Sequence, residues 1–265
     1  MTAVEIRDLQ DKIKRLGEAA ESSIDLDALL KLAASAPPFS GSLPNVEPRF
    51  KISPRIAVAR DEAFCFYYED NLNLLERYGA ALVPFSPLHD KALPEGIRAL
   101  YLGGGYPELY AKALSENTSM VESIQGAVAG GMPTLAECGG YLYLHEELED
   151  NNGISYPMAG VIKARGYKTS ALQRFGYVTL TAREDNLLCA AGESIPAHEF
   201  HYWDSTNTGS SFKAKRPGGR EWPCIFTHGA LLAGFPHLYF YGNPKFAENF
   251  VKAAAGYAEM YEKSV

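Results

Sequence analysis

Apolar residues fall into three regimes along the 265-residue chain. Up to about residue 36 they recur at helical spacing. They predict one helix around 3–20 and a second over "DLDALLKLAASA", which Asp25 caps by accepting from the free N–H groups of its first turn. Between 35 and 54 the period is lost in "SAPPFSGSLPNVEPRFKISP", where Pro and Ser accumulate as they do in linkers; the linker is drawn at 37–53. It divides a helical segment over 1–36 from a domain over 54–263. There, short apolar runs alternate with helical periods: "RIAVAR" at 55–60, a helix near 70–79, "AALVPF" at 80–85, "IRALYLGGG" at 97–105, a helix around 107–130, then "MPTLAEC". This alternation predicts parallel strands joined by crossover helices, an α/β fold. Beyond 155 the runs become strand-like ("MAGVIKA", "FGYVTLTA", "EFHYW", "CIFTHGALLAGF") before a closing helix over "PKFAENFVKAAAGYAEMYEK".

One junction in this pattern carries candidate chemistry. In "TLAECGGYLYL" a strand ends at Glu137, Cys138 follows, and a helix begins within a residue or two. Such a turn lifts a thiol above the carboxyl edge of the sheet, toward the positive end of the next helix. Gly139 and Gly140 permit close backbone approach, and their N–H groups are expected to lower the thiol pKa and to hold an oxyanion. A packing thiol also fits a strand end, and the residues alone leave both readings open. A second cluster, "YLGGGYPELY", follows another predicted strand, so N–H groups around Gly104 and Gly105 face the same edge. It lacks the Lys and Ser/Thr of a phosphate-binding loop, and "GVIKARGYKTS" has the wrong glycine spacing, so no ATP site is expected in this chain.

A nucleophilic cysteine needs a base, and the candidates are His89, His145, His198, His201, His228 and His237. His237, in "LLAGFPHLYF", lies just past a predicted strand, where a third loop reaches the same edge. His198 and His201 stand three apart on a predicted strand and so on opposite faces, which argues against a metal. His89 and His145 are expected at the surface or on a helix face.

Composition removes whole classes of function. The formal net charge of −7, with scattered Lys and Arg, gives no footprint for nucleic acid. There is no apolar run of membrane-spanning length, and the amphipathic N-terminus does not read as a signal peptide; no membrane partner and a cytoplasmic location are expected. Cys65, Cys138, Cys189 and Cys224 lie far apart without a CxxC, against both a disulfide framework and a zinc site.

The stretch from "RIAVARDEAFCFYYEDNLNLLERYGAALVPF" through "LYLGGGYPELYA", with "AECGGYLYL", "FGYVTLTA", "HEFHYW" and "HLYFYGNPKFAENFV", closely resembles the C-terminal glutaminase domain of cobyrinic acid a,c-diamide synthases. That family is similar to the class I glutamine amidotransferases. The resemblance implies a flavodoxin-like, mostly parallel sheet flanked by helices, here with an N-terminal helical appendage, 1–36, that resembles the tail of a synthetase domain. It implies Cys138 as nucleophile, His237 as the residue that raises its nucleophilicity, and Gly104, Gly105 and Gly139 around the oxyanion and substrate. The implied partners are glutamine and a synthetase domain or subunit that binds ATP and corrin. ATP and Mg are expected only there, with no cofactor in this chain, which would be an excised domain or a split subunit. Many related enzymes carry a carboxylate two residues after the histidine. Tyr239 stands there instead, which leaves the orienting group unassigned with Glu199 one candidate, and Pro236 precedes the histidine where the family usually has an aliphatic residue. Two rivals remain at this point: a stand-alone cysteine hydrolase of the same fold, and a non-catalytic module in which Cys138 packs.

Overall fold

The structure, a computed structural model, describes residues 8–38, 41 and 53–262. The chain divides into two units, Met1–Asn45 and Val46–Val265. The first holds α1 (Leu9–Ser23) and α2 (Leu26–Ala34), neither of which buries a residue. The expected cap is made: Asp25 Oδ1 accepts from the Ala28 N–H at 2.9 Å. Most of the linker read from composition lies outside the described residues.

The second unit begins with β1 (Arg55–Ala59), β2 (Phe64–Phe66), α3 (Glu69–Arg77), β3 (Ala81–Phe85), β4 (Ala99–Leu102) and β5 (Gly104–Gly105). The helix expected over 107–130 is a 3-10 turn followed by α4 (Ala111–Glu116) and α5 (Thr118–Ala129). Asn117 divides them because its side-chain amide donates to the carbonyls of Pro87 and Asp90, both at 2.8 Å, and holds the chain out of helical geometry. Next come β6 (Thr134–Glu137), α6 (Gly139–Tyr143), β7 (His145–Glu149), β8 (Ser155–Pro157), β9 (Ile162–Lys168), β10 (Arg174–Ala182) and β11 (Ser194–His201). The chain continues through β12 (Trp203–Ser205), β13 (Phe212–Lys215), β14 (Glu221–Cys224), β15 (Phe226–His228), β16 (Leu231–Gly234), β17 (His237–Leu238) and α7 (Lys245–Glu262). No helix among the described residues is long and apolar enough to cross a membrane.

The principal sheet runs β15-β16-β6-β4-β1-β3 and is parallel except at β15. Its five parallel strands lie in the order second, first, third, fourth, fifth, the flavodoxin-like arrangement, whose ligands gather at the carboxyl ends of the strands. Strands β4, β6 and β16 are buried throughout, which explains their unbroken apolar runs. Along β1 the side chains alternate between two cores. Ile56 and Val58 join Leu75 of α3, Phe250 of α7 and Leu180 of β10, while Ala57 and Ala59 join Ile124 of α5 and Leu142 of α6. The strand-like tail forms two further sheets, β14-β13-β10-β11-β17, which is antiparallel, and β12-β9-β7-β8. The first of these carries β17 to the edge where β4 and β6 end.

Candidate active site

Strand β6 delivers Cys138 to the sheet edge with φ 49° and ψ −100°, one of two positive-φ non-glycine positions among the described residues. Such a conformation costs on the order of 1–3 kcal/mol and persists only where neighbours impose it. Here the Cys138 N–H donates to the Gly234 carbonyl at 2.8 Å, and two residues on the Gly140 N–H donates to that of Gly103 at 2.9 Å. Helix α6 therefore starts against β4. A Cβ on Gly140 would stand 2.2 Å from the Leu102 carbonyl oxygen, so only glycine fits. Gly140→Ala is expected to cost more than about 3 kcal/mol in denaturant unfolding. Gly126→Ala, on α5 with nothing within 4 Å of a new Cβ, should be neutral or gain up to about 1 kcal/mol. Equal stability of the two variants would contradict this packing of the elbow.

The glycines of the second cluster meet the elbow. A Cβ on Gly139 would be 3.0 Å from the Gly105 nitrogen, and one on Gly104 would be 2.5 Å from His237 Cε1. Gly104 and Gly105 form β5, paired antiparallel with β2. The Gly103 N–H is committed to the Tyr67 hydroxyl at 2.9 Å, and that hydroxyl donates to the Ala59 carbonyl, clamping the loop onto β1. His237 arrives on β17, opposite His198 of β11, with its ring edge-on to Phe66 at 4.6 Å. Gly139 thus lies against Gly105, and Gly104 against His237, at the elbow that follows β6.

The carboxylate facing His237 is that of Glu137. Its Oε2 lies 3.9 Å from His237 Nδ1 and accepts from the Tyr101 hydroxyl at 2.9 Å, while Oε1 accepts from the Leu238 N–H at 2.9 Å. Glu199, a candidate orienting group from sequence, faces other partners: its Oε1 is 3.8 Å from both His201 Nε2 and Arg174 Nε. The reason is the two-residue period of β11, which gives Glu199 and His201 one face and His198 the other. His201 stacks on Phe235 at 3.8 Å, and His198 sits against Tyr177 at 5.2 Å. Of the histidines expected outside, His89 is exposed and pairs with Glu62 at 2.9 Å, but His145 is buried on β7, 2.7 Å from the Ser205 hydroxyl. Glu137 was legible only as the last residue of a strand. Its signal was a charge inside an otherwise apolar, central run, which must find partners when buried.

Burial sets the resting charges. It pushes the Cys138 thiol up to about 12, with the Glu108 carboxylate adding to the effect and the Gly139 N–H opposing it. The expected lowering by backbone N–H groups is therefore present and outweighed. Burial also takes His237 down to about 3, and raises Glu137 to about 7 against the pull of its two hydrogen bonds. Glu108, in the 3-10 turn Pro107–Leu109, rises to about 7 for the same reason and is a second carboxyl that sequence reading passed over. At neutral pH the cysteine is a thiol and the histidine a neutral imidazole with Nδ1 free of hydrogen bonds. An uncharged pair of this kind suits proton transfer during attack on a substrate that has displaced water.

Residues 55–244 match the sequence profile of the CobB/CobQ-like glutamine amidotransferase domain. The chain is 44% identical over 240 residues to the cobyrinate a,c-diamide synthase of Caldanaerobacter subterraneus subsp. tengcongensis, a match covering 89% of this chain and 53% of that protein. It is 38% identical over 268 residues to that of Dehalococcoides mccartyi strain CBDB1, covering 98% and 58%. The chain thus spans a little over half the length of these curated relatives. Among solved structures, PurLQS from Thermotoga maritima superposes with a TM-score of 0.56 at 16% identity, over 78% of this chain and all of that one. A glutamine amidotransferase superposes at 0.52 and 19% identity, over 75% and 98%. At such identities these two speak for the fold, whereas the profile and the synthases speak for descent: the chain belongs to the CobB/CobQ-like glutamine amidotransferase family.

Proposed function

We propose that the chain is the glutaminase half of an ATP-dependent cobyrinate a,c-diamide synthase, releasing ammonia from glutamine for amidation of corrin carboxylates. The observation that carries this reading is the strained Cys138 at the elbow, with Gly139 after it against Gly105 of β5 and His237 against Gly104 of the same strand. In the proposed reaction the Cys138 S–H gives its proton to His237 Nε2 as sulfur bonds to the side-chain amide carbon of glutamine. The carbonyl electron pair moves onto oxygen, held by N–H groups at Gly139 and along Gly104–Gly105. His237 then hands the proton to the departing nitrogen, the C–N bond breaks, ammonia leaves and a thioester remains. Water, deprotonated by the same imidazole, adds to the thioester carbon; the C–S bond breaks, the proton passes from the imidazole to the Cys138 sulfur, and glutamate is released. The Glu137 carboxylate, 3.9 Å from Nδ1, favours by its charge the Nδ1–H tautomer that keeps Nε2 an acceptor. ATP, magnesium and the corrin are assigned to the part of the relatives that this chain does not match. None of the four cysteines is joined in a disulfide, which fits a reducing compartment such as the cytoplasm.

Alkylation tests the reading directly. A diazo-ketone analogue of glutamine, which must enter the site before it reacts, is expected to label Cys138. Iodoacetamide at pH 7 should take Cys65 first, because Cys65 is exposed, whereas Cys138, Cys189 and Cys224 are buried with thiols raised to about 12, 11 and 12. Peptide mass mapping distinguishes them. Diazo-ketone adducts chiefly on Cys65, Cys189 or Cys224 would remove Cys138 from the role of nucleophile.

A further inference from the structure

The outward face of β10 and β11 is aromatic where a solvated antiparallel face is ordinarily polar. Phe175, Tyr177 and Phe200 are 57%, 77% and 44% exposed, and their rings pack edge-on, Phe175 on Phe200 at 5.6 Å and Tyr177 on His198 at 5.2 Å. Farther along the same strands the outward positions become Thr179, Thr181 and Pro196. The aromatic residues are therefore confined to one end of the sheet. From there they continue toward Cys138. Tyr239 packs on Tyr68 at 5.8 Å, Tyr68 on Phe66 at 5.7 Å, and Phe66 on the His237 ring at 4.6 Å. A groove of about 410 Å³, lined by Tyr68, Tyr177, His198 and Tyr239 among others, lies within this ribbon.

Continuity with the candidate site decides what covers it. Ammonia that escapes into neutral water becomes ammonium and ceases to be a nucleophile, as any amine of ordinary basicity does. Its consumer must therefore dock close to the site where it is released. The curated relatives carry nearly as much chain again beyond the matched part, so a consumer carried there would be covalently tethered to the glutaminase. A contiguous exposed aromatic surface is what a standing partner leaves behind when it is taken away. We propose that the aromatic ribbon from Phe175 to Phe66 is the docking face for the ATP-dependent, amide-forming portion of the synthase, whose apolar side chains fill the groove and seal the exit at His237. This rests on the glutaminase reading above.

The test joins this chain to the remaining portion of the Caldanaerobacter relative and compares it with the same protein carrying Phe175→Ser and Tyr177→Ser. Both substitutions are exposed and outside the catalytic set, so thermal unfolding of the 265-residue chain should not change. Glutamate and amide are counted separately. The expected result is amide formed per glutamate lower by about fivefold or more, with glutamate release and ammonium-supported amidation held within about twofold. An unchanged ratio overturns the docking face and leaves the glutaminase reading standing. Absence of glutamate release from the parent overturns that reading, and this proposal with it. Hydrogen exchange supplies an answer independent of activity. Peptides covering 174–178 and 198–203 should be protected in the joined protein relative to the 265-residue chain, and equal exchange overturns the proposal. So does sedimentation that shows the chain pairing with itself through Phe175 and Tyr177 while coupling is unaffected.

Discussion

Cys138→Ala is expected to abolish glutamine-dependent amidation and to leave ammonium-dependent amidation intact. Supplied with the amide-forming portion and ATP, the variant should lose at least about 10⁴-fold with glutamine as donor, since the elbow then holds no nucleophile to form the thioester. With ammonium chloride the rate should match the parent, because carboxylate activation and amide hydrolysis belong to different sites. The chain alone, with or without ATP, should amidate no corrin. Mass spectrometry of the corrin product across the four combinations of parent or variant with glutamine or ammonium decides the matter. ATP-dependent amidation by the chain alone, or glutamine-dependent amidation by Cys138→Ala, would refute the division of labour proposed here.

Glu137→Gln should cost on the order of 10²–10⁴-fold in kcat while raising stability above neutral pH. The amide can still accept from the Leu238 N–H and can donate to the Tyr101 oxygen, so the fold keeps its hydrogen bonds. It then turns a donor toward His237 Nδ1, which selects the Nε2–H tautomer and removes the acceptor that Cys138 needs. The stability change follows from the sign of the shift. A carboxyl at about 7 in the fold, against its ordinary 4.5, binds its proton more tightly folded than unfolded. Its contribution is fully present below about 4.5 and is lost as pH rises to about 7, a loss of about 3 kcal/mol that glutamine never incurs. Urea unfolding at pH 5 and pH 8 measures this: the variant should gain on the parent only at pH 8. In parallel, parent turnover should climb through pH 7 as the carboxylate forms, and the variant should lack that step. A variant with parental kcat would show that Glu137 does not orient His237.

Periodicity carried the architecture a long way. The runs at 55–60, 80–85 and 97–105 became β1, β3, β4 and β5, and "FGYVTLTA" became β10, because each is an apolar stretch whose length and flanking turns admit only one element. The elbow was legible too, since a cysteine between a strand period and a helix period followed by two glycines leaves little other geometry. What period could not convey was depth. The same burial that makes "TLAEC" apolar reverses the expected shift of the Cys138 thiol and turns Glu137 from a strand end into a paired buried carboxyl. Cross-strand register was equally hidden. Glu199 and His237 lie on neighbouring strands, yet β17 pairs so that His237 meets His198, and Glu199 points to the other face. The division of 107–130 at Asn117 depends on carbonyls about 30 residues away and leaves no local mark.

The alternation of faces along β6 has an evolutionary reading. Leu135 packs with α3 and α7, whereas Ala136 and Cys138 pack with α5 and α6. The sheet acts as a partition, and substitutions on its two sides, when well separated, have nearly independent effects on stability. Lineages can therefore remodel one layer without revisiting what the other tolerates. That independence ends at 137–138 and 234–238, where backbone and side chains cross from one layer to the other. Drift should be fast on either side of this hinge of constraint and slow within it, so the enzyme can change the company it keeps on one face while the chemistry on the other stays still.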